Sequence, residues 1–294
     1  MLQRVIISAQ ENILPTLQHL SDELKKHGVE MLIEDGRNIN DGASAKPDAP
    51  ACDEAADQAA LYITDSESTY HTLRQKGKYV LPYRHEENGN TNFAGALYVI
   101  EQIEEIDYEA VDMAYSRLAG LPWEILTTKR CIIRETIVED VDSFYQIYAE
   151  PEITKYMEDL YADRDEEIAY IKAYQEKVYG FYGYGMWTVL TKDGTVIGRA
   201  GISWREGFDC PELGFVIGVP WQRQGYAYEV CSAILAYAQK ELGFTRIQAL
   251  VAEGNEKSEN LCRKLGFQYM EQTAVGGQNY NQMVLKVLNY IRVS

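Results

Sequence analysis

The chain has 294 residues, 46% hydrophobic and 25% charged, with a formal net charge of −17, a length that predicts two domains, each burying its own core. That charge repels a phosphate backbone and argues against nucleic acid as a partner, and no apolar run approaches the roughly 18 residues of a membrane span. The opening MLQRVIISAQENILP lacks the apolar core and cleavage site of a secretory leader, so a cytoplasmic protein with no membrane partner is expected.

Arg4 to Ser8 reads as a short branched strand, Leu14 to His27 as a helix closed by Gly28, and Val29 to Ile33 as a second strand. Residues 35–57 are rich in Asp, Asn, Ala, Gly and Pro without periodicity and read as a loop. Leu61 to Thr64 and Tyr79 to Tyr83 read as strands around a helix at Thr69 to Gln75, and Asp107 to Leu118 as a further helix. This β-α-β rhythm predicts a small parallel, Rossmann-like α/β domain over 1–118. Ala119-Gly120-Leu121-Pro122 breaks the pattern and places a linker at 119–128.

A second, mixed-sheet α+β domain is expected over 129–294. It runs through a strand at Cys131 to Glu135, a helix at Val141 to Tyr148 and a charged helix from about Asp165 to Val178. A hairpin follows, Met186 to Leu190 and Val196 to Trp204, turning on Asp193-Gly194. Then come a strand at Leu213 to Val219, a long helix at Gly225 to Leu242, a strand at Arg246 to Val251 and a helix at Asn255 to Leu265. Two strands close the chain, Phe267 to Val275 and Gln282 to Val287.

The five cysteines, Cys52, Cys131, Cys210, Cys231 and Cys262, show neither a C-x-x-C pair nor an even count, so reduced, mostly buried thiols are expected. The four histidines complete no ligand set, and no metal is expected. The acidic balance favours cationic partners, although solubility alone also accounts for it.

The stretch Glu212 to Glu229 carries an apolar strand through a glycine turn, Gln222-Arg-Gln224-Gly225-Tyr226-Ala227, directly into a helix. Such a turn offers unpaired N–H groups, a partial positive charge and close backbone approach to a pyrophosphate, and it equally serves a tight strand-to-helix connection. About thirty residues on, Asn255-Glu-Lys-Ser258 leads through Leu261 to Leu265-Gly266-Phe267. The pair Q-x-x-G-x-A with N-x-x-S-x-x-L-x-x-K-L-G-F resembles motifs A and B of the GNAT N-acetyltransferases, most closely the branch that acetylates ribosomal-protein N-termini, and the family's element order fits 129–294.

The resemblance implies acetyl-CoA as co-substrate. It would lie between splayed strands, its pantetheine arm pairing with backbone around Ile217 and Val219. Its pyrophosphate would meet the turn from Gln222 through Gln224, Gly225, Tyr226 and Ala227, and Asn255 and Ser258 would contact the pantetheine or nucleotide end. Asn255 ahead of a helix also reads as an ordinary N-cap. Transfer to an amine needs a base and a polarised thioester carbonyl, and Glu212, opening the strand, is the candidate base, or else a solvated strand-end carboxylate. Many relatives place a Tyr, the acid for the departing thiolate, where this chain has Cys262, which also reads as a small buried hydrophobe.

The expected activity is acetyl transfer from acetyl-CoA to a primary amine of a small molecule or peptide in a ternary complex; the alternative is a non-catalytic acyl-CoA sensor. Aromatics from Tyr156 to Tyr184, interleaved with Glu158, Asp159, Asp163, Asp165, Glu166 and Glu167, suit a cationic acceptor or simply packing and solubility. Residues 61–106 faintly resemble the later part of haloacid-dehalogenase-like phosphatases. Val5-Ile-Ile-Ser8 lacks a carboxylate nucleophile for that chemistry, leaving a sensor, a homodimerisation module or a scaffold as readings of 1–118.

Overall fold

A computed structural model of the protein describes residues 2–9, 16–34, 59–157 and 159–286 and divides it into two units, Met1–Leu121 and Pro122–Ser294. The loop expected at 35–57, Cys52, Leu14, Glu158 and Val287 lie outside the described residues.

In the first unit, strands β1 (Arg4–Ser8), β2 (Glu30–Ile33), β3 (Ala60–Thr64) and β4 (Tyr79–Pro82) form an all-parallel sheet in the order β2-β1-β3-β4. Every residue of β3 is buried, the continuous apolar run required of a parallel strand covered on both faces. Helices α1 (Gln18–Lys26) and α3 (Tyr108–Leu118) place Leu20, Leu24, Val111 and Ala114 with Val5 and Ile7 on one face. Helix α2 (Glu67–Gln75) places Tyr70 and Leu73 with Ile6 and Tyr62 on the other. Ser66 and Asp107 start α2 and α3 by accepting from the amides of Thr69 and Ala110, caps worth about 1 kcal/mol each.

The second unit is an eight-stranded mixed sheet in the order β11-β12-β10-β9-β8-β7-β6-β5. Its members are β5 (Glu124–Thr127), β6 (Cys131–Arg134), β7 (Met186–Thr191), β8 (Val196–Ser203), β9 (Glu212–Ile217), β10 (Arg246–Ala252), β11 (Gln268–Val275) and β12 (Gln278–Lys286). Only β9 and β10 run parallel; every other neighbouring pair is antiparallel. Helix α6 (Tyr226–Lys240) covers one face through Val230, Cys231, Ile234 and Leu235, against Trp187, Val189 and Ile197; each fully buried aliphatic side chain contributes about 1.5–3 kcal/mol. Helices α4 (Val141–Tyr148) and α5 (Arg164–Tyr174) cover the other face, where Phe144, Ile147 and Ile171 pack on Val216. The last helix, α7 (Glu256–Lys264), joins β10 to β11.

Three elements differ from the expected ones. Glu124–Thr127, inside the span read as linker, pairs with β6 as an edge strand; four residues after a proline carry too little pattern to read. The final hairpin turns on Gly276-Gly277, so β12 starts at Gln278, four residues before the expected start. The charged helix ends its α-helical part at Tyr174 and continues as a π-helical turn, Gln175–Tyr179. That turn puts residues five apart on one face, and Tyr174 and Tyr179 use it to hold one residue: the Met186 N–H donates to Tyr174 Oη at 2.8 Å, and Tyr179 Oη donates to the Met186 carbonyl. Among the described residues no helix is long and apolar enough to cross a membrane.

Candidate functional site

Between β9 and β10 the parallel ladder holds at one pair, Glu212 with Gln248, where the Gln248 N–H donates to the Pro211 carbonyl at 2.8 Å. Beyond it the strands part, while β9 stays paired with β8 through Ile217. The apex is fastened from below: the fully buried Gln248 side chain donates to the Cys210 carbonyl at 3.3 Å and accepts from Gln282 Nε2 on β12 at 2.7 Å. The Gly218 N–H donates to Ile197 on the β8 side. Strand alternation therefore turns the peptide groups of Phe215 and Ile217 toward the gap.

The turn after β9 is tightly bonded within itself. Gln222 Nε2 donates to the Ile217 carbonyl at 2.9 Å and the Gln222 N–H to the Val219 carbonyl at 3.2 Å, so what Ile217 and Val219 present for pairing is chiefly N–H. Gln224 Nε2 folds back on the Pro220 carbonyl at 2.7 Å. Arg223 has φ +60, the one non-glycine residue at positive φ among the described residues, which marks local strain. Gly225, at φ +84, occupies the N-cap position of α6 with no side-chain cap. A fifteen-residue helix thus starts with its first amides uncapped by any side chain, the arrangement that suits a bound anion.

A residue without any local sequence signal completes the turn. Arg130 donates from Nη1 to the Gln224 carbonyl at 3.0 Å and from Nε to Glu229 Oε2 at 2.6 Å, and its guanidinium lies 4.1 Å over the Tyr226 ring. Glu229 Oε1 accepts from the Arg130 N–H and from Thr128 Oγ1, both at 2.8 Å. Burial alone would raise the Glu229 carboxyl, but the bonds from Thr128 and Arg130 outweigh it and hold the group below the usual carboxylate range. These partners stand about a hundred positions apart in the chain, beyond the reach of any motif.

Asn255 takes up the capping role: its Oδ1 accepts from the Ser258 N–H at 3.2 Å. Beside it, Tyr156 Oη donates to the Gly254 carbonyl at 3.0 Å and Lys257 pairs with Glu152 at 2.7 Å. The segment after α4 thereby meets the start of α7.

Glu212 is 8% exposed and shares its face of β9 with Val216, hence with α4 and α5. Its Oε2 accepts from Arg205 Nε at 2.6 Å, so it is a buried, ion-paired carboxylate and not a solvated strand end. Cys262 is fully buried in the core that also holds Cys231 and Ile234. Burial, reinforced by Glu259, pushes its thiol up to about 12, so at neutral pH it is a protonated, buried thiol.

The aromatic acidic segment divides by burial. Tyr174 and Tyr179 are framework, as described, and Glu167 is buried, accepting from the Tyr161 N–H at 3.1 Å. Asp163 caps α5. Tyr161, Tyr170, Phe181 and Tyr182 are exposed. A polar cluster is largely buried in the same unit: Arg134 grips Asp140 with two bonds of 2.7 Å, Thr188 Oγ1 donates to Asp140, and Arg199 sits 4.8 Å over Phe144. Among the described residues no three His, Cys, Asp or Glu side chains gather as a metal-holding group.

Comparison with known proteins bears on this geometry. Residues 130–268 match the acetyltransferase (GNAT) domain family. The uncharacterized N-acetyltransferase YoaA of Bacillus subtilis is 31% identical over 150 residues, 49% of this chain and 82% of the relative, and the uncharacterized N-acetyltransferase YnaD of the same organism is 30% identical over 142 residues, 48% and 81%. The ribosomal protein uS5-alanine N-acetyltransferase of Escherichia coli is 28% identical over 162 residues, 51% and 81%. Among solved structures, the ribosomal-protein-S5-alanine acetyltransferase of Vibrio fischeri aligns over 56% of this chain and 98% of its own, with a TM-score of 0.49 and 13% identity.

Proposed function

The chain belongs to the GNAT acetyltransferases and is an acetyl-CoA-dependent N-acetyltransferase; we propose that it delivers the acetyl group to a primary amine of a small molecule or peptide, by direct attack in a ternary complex. The observation that carries this reading is the gap that opens after the single Glu212–Gln248 pair and ends at the uncapped start of α6. One open strand edge and one free helix terminus, in series, match a pantetheine arm followed by a pyrophosphate.

The co-substrate supplies an acyl thioester already activated toward amines. The amides of Gln224, Gly225, Tyr226 and Ala227 hold the pyrophosphate, and the N–H groups near Ile217 and Val219 align the arm. Gln222 shapes the turn, and Asn255 with Ser258, besides capping α7, would contact the pantetheine or nucleotide end. Glu212, on the sheet face opposite α6, takes the proton of the attacking amine directly or through a water, and the Arg205 guanidinium fixes the carboxylate's orientation. With Cys262 buried, the departing thiolate leaves with help from solvent, which its stability permits.

An α-amine, with an unperturbed pKa of about 7.7–8.0, is partly neutral at physiological pH and asks less of that base than a lysine or polyamine amine does. The likeness to an alanine N-acetyltransferase supports a peptide α-amine in that place. A second reading, a non-catalytic acyl-CoA sensor, draws on the occupied Glu212 and the absent acid. Isothermal titration with acetyl-CoA, then a thiol-release screen over N-terminal peptides, amino acids, polyamines and aminoglycosides between about pH 6 and 9, separates them. Binding with no release for any amine favours the sensor, and release with polyamines alone overturns the α-amine preference.

A further inference from the structure

Arg130 ends the connection between β5 and β6 and reaches three parts of the cofactor turn at once: the Gln224 carbonyl, the Glu229 carboxylate and the Tyr226 ring face. We propose that Arg130 is a positioning residue for acetyl-CoA, which orients the Gln224–Gly225 peptide and neutralises Glu229 so that the start of α6 accepts a pyrophosphate. The inference rests on the cofactor site proposed above.

Two physical arguments lead to it. A trans peptide places its C=O and N–H on opposite sides. Nη1 draws the Gln224 carbonyl toward Arg130, so the Gly225 N–H is aimed the other way. Gly225 has the widest torsional freedom of any residue type, and its own turn supplies no side-chain cap. An anchor from outside the turn is what removes that freedom before the ligand arrives, which is worth affinity. The second argument is electrostatic. Glu229 sits in the first turn of α6, where a bare carboxylate would oppose a polyanion at close range. The Arg130 guanidinium cancels that charge through Nε, and the Arg130 main-chain N–H adds a neutral hydrogen bond to the same carboxylate. The same guanidinium places Nη2 3.5 Å from the position a Gly225 Cβ would take, so the side chain lines the flank of the turn itself.

The test is isothermal titration of the full chain with two ligands, acetyl-CoA and S-acetylpantetheine, which keeps the thioester arm and lacks the pyrophosphate. Arg130→Ala is expected to weaken acetyl-CoA by roughly tenfold or more, the usual scale for losing charge-assisted bonds, and to leave S-acetylpantetheine within about twofold. Arg130→Lys, with one ammonium in place of a planar fork, is expected to recover only part of the loss, and its milder change guards against a variant that does not fold. Equal weakening for both ligands would mark Arg130 as general support for the unit and overturn the proposal, as would unchanged acetyl-CoA affinity. Failure of the unaltered protein to bind acetyl-CoA would instead remove the cofactor site on which the inference stands.

Discussion

Replacing Gly225 with Ala separates the geometry of the turn from the stability of the unit. Gly225 has φ +84 and is the N-cap of α6, and an L-residue held there costs about 1–2 kcal/mol. The added Cβ meets only Arg130 Nη2, at 3.5 Å, an ordinary contact, so the cost is torsional and not a clash. For a domain of this size that is a fall in melting temperature of roughly 2–8 °C. The chain can escape the strain only by turning the Gln224–Gly225 peptide, which moves the amides away from the pyrophosphate. Acetyl-CoA affinity is therefore expected to fall by about tenfold or more, measured by titration beside a thermal melt. Gly194→Ala is the control, because Gly194 has φ +87 in the β7–β8 hairpin with nothing within 4 Å of its Cβ position. It carries the same strain and should lower the melting temperature while binding acetyl-CoA normally. Wild-type affinity in Gly225→Ala, or lost affinity in Gly194→Ala, would refute the reasoning.

Glu212→Gln is expected to lower kcat by roughly 10²–10⁴-fold with acetyl-CoA affinity unchanged; a parallel loss of affinity would assign Glu212 to structure. Glu229 has its carboxyl held low in the folded protein, so its contribution to stability is present above the unfolded value near 4.5 and is lost as pH falls through the lower folded value. Urea unfolding of the native chain and of Glu229→Gln should thus differ at neutral pH, with the difference starting to shrink as pH falls below about 4.5 and vanishing only below the lower folded value. Cys131, Cys210, Cys231 and Cys262 are buried with raised thiol pKa values. A Cys52→Ser chain should accordingly give almost no rapid reaction with Ellman's reagent when native and four thiols when unfolded.

The elements with a strong period were legible before any coordinates. Leu61 to Ile63 is an unbroken run of large apolar and aromatic residues, in keeping with a strand covered on both faces, and the strand, glycine turn and helix around Gly225 announce themselves in one continuous stretch. Contacts between distant positions left no such trace. Arg130 and Glu229 look like two solvated charges until the fold joins them, and the buried Gln248–Gln282 pair that fastens the apex reads as two polar residues in strands. Cys262, standing where many relatives carry Tyr, reads as a small hydrophobe, and its full burial agrees with that reading. The π-helical turn is a tertiary effect: Tyr174 and Tyr179 must both reach Met186, and helical periodicity alone predicts no such step.

The most direct test of acetyl transfer to an amine follows both products at once. Acetyl-CoA is incubated with the protein and a peptide bearing a free α-amine, released CoA thiol is counted, and the peptide is mapped by mass spectrometry. The account predicts one acetyl group on the terminal nitrogen for each thiol released, and no release when the same peptide carries a blocked N-terminus. Thiol release that persists with the blocked peptide, or acetyl found only on hydroxyl oxygens, would contradict it.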